Sequence, residues 1–356
     1  MGEAAIKLSV KKEDGKLMPR GRAGTKNFMD VPMELRLKDF ESESGEFFIS
    51  ILPPEIARCF KQAIMETGIE SEDALKYLEY ALSMEENGKP ISPIAQWVHD
   101  NPYNPRVFKY LYGEAEPLSP MDKGYTLTTG SQAICLRLKS LIKRLPNIIR
   151  DECQRFEMKS DEKYVIYNIG ASFGLDTIYM MAENLDLRGF VKIVNIDPDE
   201  ASLVYGRNLA EKLGVVECFQ FVPKKIEEVK DLDKAHMLLF IGMFCPVPTK
   251  KCVLTLNFIK KFIHEKGIVI FSTVQEKMLL GGPILDFIMW SYGWRMYFKT
   301  DKEPARIVAF AGLTHEKDMD WEDEFGYNRM TVARNVKHSV FKKVGDVARL
   351  VRILMM

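Results

Sequence analysis

A small set of residues has the types and spacing to hold a nucleoside. An apolar run at 164–169 carries Asn168 near its end and leads into Gly170, Ala171, Ser172 and Gly174. A second apolar run at 191–196 leads into Asp197 and Pro198. A nucleoside lying across strand ends needs a turn with no side chains beneath it and a carboxylate that accepts from a vicinal diol. The glycines at 170 and 174 meet the first need and Asp197 the second. A later apolar run at 237–241 leads into Gly242, Met243 and Phe244.

The elements that would position these residues follow from pattern. The run at 164–169 is aromatic and β-branched, too short for a buried helix and suited to a central parallel strand. After the glycine turn, Leu175, Ile178, Tyr179 and Ala182 share one helical face, and Asp176 stands in the first turn, where a negative charge is favourable. Val191 to Ile196 reads as a second strand, which puts Asp197 at its carboxyl end. In an open α/β sheet, ligands bind at that end.

Turn, helix, strand and terminal acid in this order resemble the cofactor half of class I S-adenosylmethionine (SAM)-dependent methyltransferases. The resemblance implies an α/β fold with a Rossmann-like seven-stranded sheet in the order 3-2-1-4-5-7-6, strand 7 antiparallel. It implies S-adenosyl-L-methionine as cofactor, held by Asn168, Gly170, Ala171, Ser172, Gly174, Asp197, Pro198, Gly242 and Phe244. Asp197 would take the ribose hydroxyls and the glycine turn the methionine part. Three positions depart from the family pattern: Asn168 stands where an acid usually ends strand 1, Ser172 where a second glycine is common, and Pro223, Lys224 and Lys225 where an acid often holds the adenine. A dinucleotide turn of the G-x-G-x-x-G type would need a small residue at 175, where this chain has Leu175.

The loop from Gly242 to Pro248 lacks the Pro-Pro-aromatic motif of amino methyltransferases acting on bases. Cys245 precedes Pro246, the reverse of the cytosine-C5 order, so it is not expected to be a nucleophile. No catalytic residue is assigned, since in-line transfer from a sulfonium mainly requires an acceptor held close and aligned. Glu276, Asp286, Trp290 and Tyr292 fall in the region that lines the acceptor pocket in the family. Tyr125, Thr128 and Thr129 are secondary candidates for closing over the cofactor. The histidines at 99, 236, 264, 315 and 338 are isolated, and no metal-ligand cluster is visible; His315 alone merits a test.

Around this half, the chain of 356 residues has room for a second, smaller unit. Residues 1–28 read as a flexible lead-in and 29–124 as a helical domain without strands, its aromatics Trp97, Tyr103, Phe108, Tyr110 and Tyr112 forming a core. Residues 125–326 read as the SAM-binding domain. Within it, 294–298 and 306–310 would be the closing antiparallel strands, and a helix would run from 249 to 265. Residues 327–356 read as a basic C-terminal helix docked by its valines. The helical extension could act as a lid, set substrate choice or make a homodimer contact.

Fifty basic residues balance fifty acidic ones, which favours neither a nucleic-acid nor a membrane partner. The six cysteines contain no C-x-x-C pair, and no signal-peptide core or membrane-length apolar run is present, so the cytoplasm is the expected compartment. The expected function is methyl transfer to a small molecule. An RNA or protein methyltransferase using the basic ends, and a binding protein that holds SAM without turnover, are the alternatives.

Overall fold

The computed structural model describes residues 105–113, 115–118, 129–229, 233–278 and 296–336, with isolated positions between 85 and 122. Five parallel strands form the centre: β1 (Tyr164–Ile169), β2 (Val191–Ile196), β3 (Phe219–Val222), β4 (Ala235–Phe240) and β5 (Ile263–Val274). Three more follow: β6 (Thr314–His315), β7 (Trp321–Glu322) and β8 (Asn328–Arg334). The sheet order is 3-2-1-4-5-8-6, with β8 antiparallel to β5 and to β6, and β7 paired to the start of β8. Apart from the short β7, this is the expected order with its antiparallel strand beside strand 5.

Every residue of β1 but Val165 is buried, as a central strand covered on both faces requires. The cover comes from α1 (Pro105–Leu111), α2 (Thr129–Arg155), α3 (Leu175–Glu183), α4 (Glu200–Lys212), α5 (Thr249–Ile259) and α6 (Glu303–Phe310). On one face, Leu141, Leu145 and Ile149 of α2 and Ile178 and Met181 of α3 pack on Ile166, Ile193 and Met237. On the other, Val253 and Leu256 of α5 and Ile307 and Val308 of α6 pack on Tyr167, Leu238 and Phe271.

Four expectations are corrected. Arg306 to Phe310 is not a strand but the body of α6; Pro304 lies in its first turn, where a missing N–H costs nothing, and Ile307, Val308 and Ala311 form a buried helical face. Residues 296–298 have no regular structure, and the closing strands are β6 and β8. The helix expected over 249–265 ends at Ile259, and β5 already begins at Ile263. The expected C-terminal helix gives way to β8 over Asn328–Arg334; positions 337–356 lie outside the described residues. Glu85–Glu86 pairs antiparallel with Lys89–Pro90, where no strand was expected. The two residues between are Asn87 and Gly88, a dipeptide suited to tight hairpins. The rest of the expected helical domain, and the lead-in, lie largely outside the described residues.

Arg334 and Glu152 tie α2 to the sheet. The two are 4% and 2% exposed and meet at 2.7 Å, and Arg334 also donates to Glu316 and to the Lys266 carbonyl.

Candidate functional site

A cavity of about 590 Å³ opens at the carboxyl ends of β1, β2 and β4. Asn168, Gly170, Ala171, Ser172, Gly174, Asp197, Pro198 and Gly242 all line it. Phe244 does not: it is 1% exposed, stacked 5.6 Å from Phe240 and 5.3 Å from Phe271 in the core behind the loop. The reason is alternation in the loop, where Met243 and Cys245 face the cavity and Phe244 faces away.

The glycine turn has the backbone the sequence suggested. Gly170 and Gly174 adopt φ of 66° and 68°, and Ser172 is left-handed at 49°. A methyl group on Gly174 would stand 2.4 Å from the buried Asn195 amide. On Gly170 it would meet the Met243 thioether at 2.5 Å, so the turn is bare both for a ligand and for this side chain. Helix α4 approaches the same turn through Gly206, where a Cβ would stand 2.2 Å from the Phe173 carbonyl oxygen.

Asp197 leaves β2 with its carboxylate already oriented. The Ser172 N–H donates to Oδ2 at 2.8 Å and the Asp199 N–H to Oδ1 at 2.9 Å. Each oxygen keeps a further lone pair for a hydroxyl. Burial raises the Asp197 pKa, the two N–H donors pull it back, and the Asp199 charge adds a smaller upward push. Asp199 itself caps α4 by accepting from Ala201 N and from the Ser202 hydroxyl.

A charged group that the sequence did not single out lies at the opposite side of the turn. Arg137, 7% exposed on α2, donates to the Tyr112 hydroxyl of α1 and points Nη1 at the Cys245 sulfur, 4.0 Å away. Its guanidinium also passes within 3.4 Å of where a Gly242 Cβ would lie. Burial opposes this charge, but Tyr112, Cys245 and Asp176 more than offset it, holding the guanidinium above its ordinary pKa. Asp176, read from sequence only as a helix-dipole partner, is 9% exposed and accepts from Thr177 N and Asn168 Nδ2. Burial raises its pKa, against these hydrogen bonds and Arg137.

The remaining wall is apolar. Ile241, Met243, Cys245, Pro246, Val274, Met278 and Met296 line it, with Asn328 at the start of β8. The Asn328 amide is already committed to the Ala133 carbonyl and Asp323. The loop after β4 is held from behind: Gly242 N donates to the Ser272 hydroxyl, Tyr297 N to the Cys245 carbonyl, and buried Lys299 to the Val247 carbonyl. Burial pushes the Cys245 pKa up, against the opposing pull of the Arg137 and Lys299 charges.

Other sequence candidates fall elsewhere. His315 sits in the edge strand β6, bonded to Asp320 at 2.8 Å, and does not line the cavity. His236 and His264 stack 4.5 Å apart at the opposite end of the sheet. Glu276 is not on the cavity wall, and the Pro223 to Lys225 stretch contributes nothing to it. Thr129 opens α2, while Tyr125, Thr128, Asp286, Trp290 and Tyr292 lie outside the described residues. Phe108 and Tyr112, expected as core of a helical domain, instead form part of the cavity wall. The charge–apolar spacing of Arg137 between Ile134, Leu138 and Leu141 was the one sequence signal for an inward-facing cation on α2. Among the described residues no group of acids, histidines and cysteines could hold a metal ion, and no helix is long and apolar enough to cross a membrane.

No family model matches the sequence, and no curated protein matches it. Solved structures do. A possible exported protein from Bordetella parapertussis is similar at a TM-score of 0.50 and 12% identity, over 88% of this chain and 99% of its own. Magnesium protoporphyrin IX methyltransferase from Synechocystis, solved with S-adenosylhomocysteine (SAH), matches at 0.48 and 12%, over 68% and 97%. An O-methyltransferase family 2 protein from Planctomyces limnophilus, in complex with apigenin, matches at 0.41 and 14%, over 88% and 100%. At these identities the likeness is one of fold.

Proposed function

We propose that this chain, whose sheet order resembles that of the class I SAM-dependent methyltransferases, binds SAM and transfers its methyl group to an apolar small molecule. The observation that carries the reading is that one cavity joins a pre-oriented acid, Asp197, through a glycine turn to a wall of methionines, Val274 and Pro246. The cavity size is in the range of small-ligand sites, about 300–1,000 Å³.

The residues fit the cofactor. Asp197 would accept from the ribose hydroxyls, with Pro198 beside them and the glycine turn under the tail. The departure at Pro223 to Lys225 leaves no acid at the end of β3, so Asp199 and Ser202, which also line the cavity, would be the polar groups offered to the adenine. When bound, SAM supplies an electrophilic methyl on a sulfonium whose leaving group is a neutral thioether. The chain holds the acceptor in line by shape: Ile241, Cys245, Pro246, Val274, Met278 and Met296 enclose it and exclude water. The described residues of this apolar wall include no histidine or carboxylate placed as a base. Such a pocket suits an acceptor that is already nucleophilic at neutral pH, such as a carboxylate, an acidic phenol or a stabilised carbanion.

Calorimetry on the full chain with SAM, SAH and NAD tests the reading. Binding of the first two without NAD is expected, followed by methyl transfer to members of an apolar acid and phenol panel. Preference for NAD, or no binding of either adenosyl compound, overturns it.

A further inference from the structure

Two opposite charges are buried in the cavity without being bonded to each other. Arg137 and Asp176 are 7% and 9% exposed, both line the cavity, and each feels the other's charge. Among the described residues, the hydrogen bonds of Arg137 and Asp176 run to Cys245, Tyr112, Thr177 and Asn168 rather than to each other. Each is held by neutral neighbours rather than by an opposite charge in direct contact, and two such charges lining one cavity suit a ligand that carries both signs. Their surroundings keep them in place. Thr177 N and Asn168 Nδ2 both approach Oδ1 of Asp176, at 2.9 and 3.1 Å, and Oδ2 takes neither bond. The Tyr112 hydroxyl fixes Arg137 beside Gly242.

We propose that Arg137 and Asp176 form a zwitterion clamp for an α-amino-acid group, Arg137 taking the carboxylate and Asp176 the ammonium. This rests on the methyltransferase reading, in which that group is the methionine tail of SAM. It also accounts for the neutral Asn168 at the end of β1. The amide there does not replace a missing acid; it donates to Asp176, so the negative charge is supplied from the first turn of α3, eight residues further along the chain. Arg137 reaches in from α2, whose Leu138 and Leu141 also line the cavity, so the clamp closes only when α2, α3 and the β4 loop are all assembled.

The test compares ligands within each variant. Wild-type chain, Asp176→Asn and Arg137→Met are titrated by calorimetry with SAH, with SAH lacking its amino group and with SAH lacking its carboxyl group. Wild type is expected to lose about tenfold or more in affinity when either group is removed, as a buried charge-assisted hydrogen bond predicts. Asp176→Asn should no longer distinguish SAH from the analogue without the amino group while still penalising loss of the carboxyl. Arg137→Met should show the reverse. Because each variant is its own reference, a general loosening of the fold moves all three affinities together and leaves the ratios unchanged. Variants that retain the wild-type ratios overturn the clamp. Wild type that binds SAH but ignores both deletions also overturns it and leaves the methyltransferase reading standing, whereas wild type that does not bind SAH overturns both.

Discussion

Gly206 and Gly214 separate two ways in which a glycine can matter. A side chain at 206 meets the Phe173 carbonyl at 2.2 Å, whereas at 214 nothing lies within 4 Å and only the positive φ of 67° resists substitution. Gly214→Ala is expected to cost about 1–2 kcal/mol from left-handed strain alone. Gly206→Ala should cost about 1–3 kcal/mol from overpacking. Urea unfolding measures both, and only Gly206→Ala should also weaken SAH binding, because it displaces the turn that carries Phe173. Among the residues that line the cavity, Gly170, Gly174 and Asp197 were the most legible, announcing themselves by type and by position after apolar runs. Phe244 was misassigned because a loop's facing cannot be read without knowing what packs behind it. Arg137 and Asp176 were missed as a pair because their meeting depends on how α2 lies on α3, and the 38 positions between them carry no period that records it.

At the level of elements, the strands β1, β2 and β4 were readable because each is a short apolar run ending in a turn. The strand β8 was not. Its sequence, Asn328 to Arg334, ends in an arginine that looked like a solvated charge, and its partner Glu152 lies 182 residues away. That pair docks the long helix α2 against the sheet, so breaking it tests how α2 is held. Glu152→Ala leaves Arg334 with Glu316 and the Lys266 carbonyl but strips its bidentate partner. A loss of about 3 kcal/mol is expected, as for other broken buried pairs. The double variant Glu152→Leu with Arg334→Met should recover much of it, and equal destabilisation by the single and double variants would contradict this account. Helix α6 was misread for a related reason: Arg306 to Phe310 is β-branched and apolar enough for a strand, and the signal against it was Pro304 in the first turn.

Among the described residues, the cavity lies at one end of the sheet and a stacked aromatic cluster at the other. There Phe156, Tyr164, His236 and His264 pack together, and Val165 N–H donates to His236 Nδ1 at 3.0 Å. Burial first, and the His264 charge second, lower the His236 pKa from 6.5 to about 4. A histidine whose folded pKa is depressed contributes stability that is present above its unfolded pKa and is lost as pH falls through the folded one. The melting temperature should therefore fall between pH 6.5 and about 4, and His236→Asn, which keeps an acceptor for Val165, should flatten that dependence relative to wild type. An unchanged slope in the variant would assign the loss to carboxylates instead.

The central claim is that the Asp197 carboxylate, oriented by Ser172 and Asp199, holds the sugar of an adenosyl ligand. Calorimetry of SAH binding to wild type and to Asp197→Asn, which keeps one oxygen for the backbone donors, tests it most directly. The account predicts a loss of about tenfold or more in affinity, as removal of a charged acceptor from a sugar diol should give, with a modest fall in melting temperature because one of the two backbone donors loses its acceptor. Equal affinity in the two proteins would contradict it.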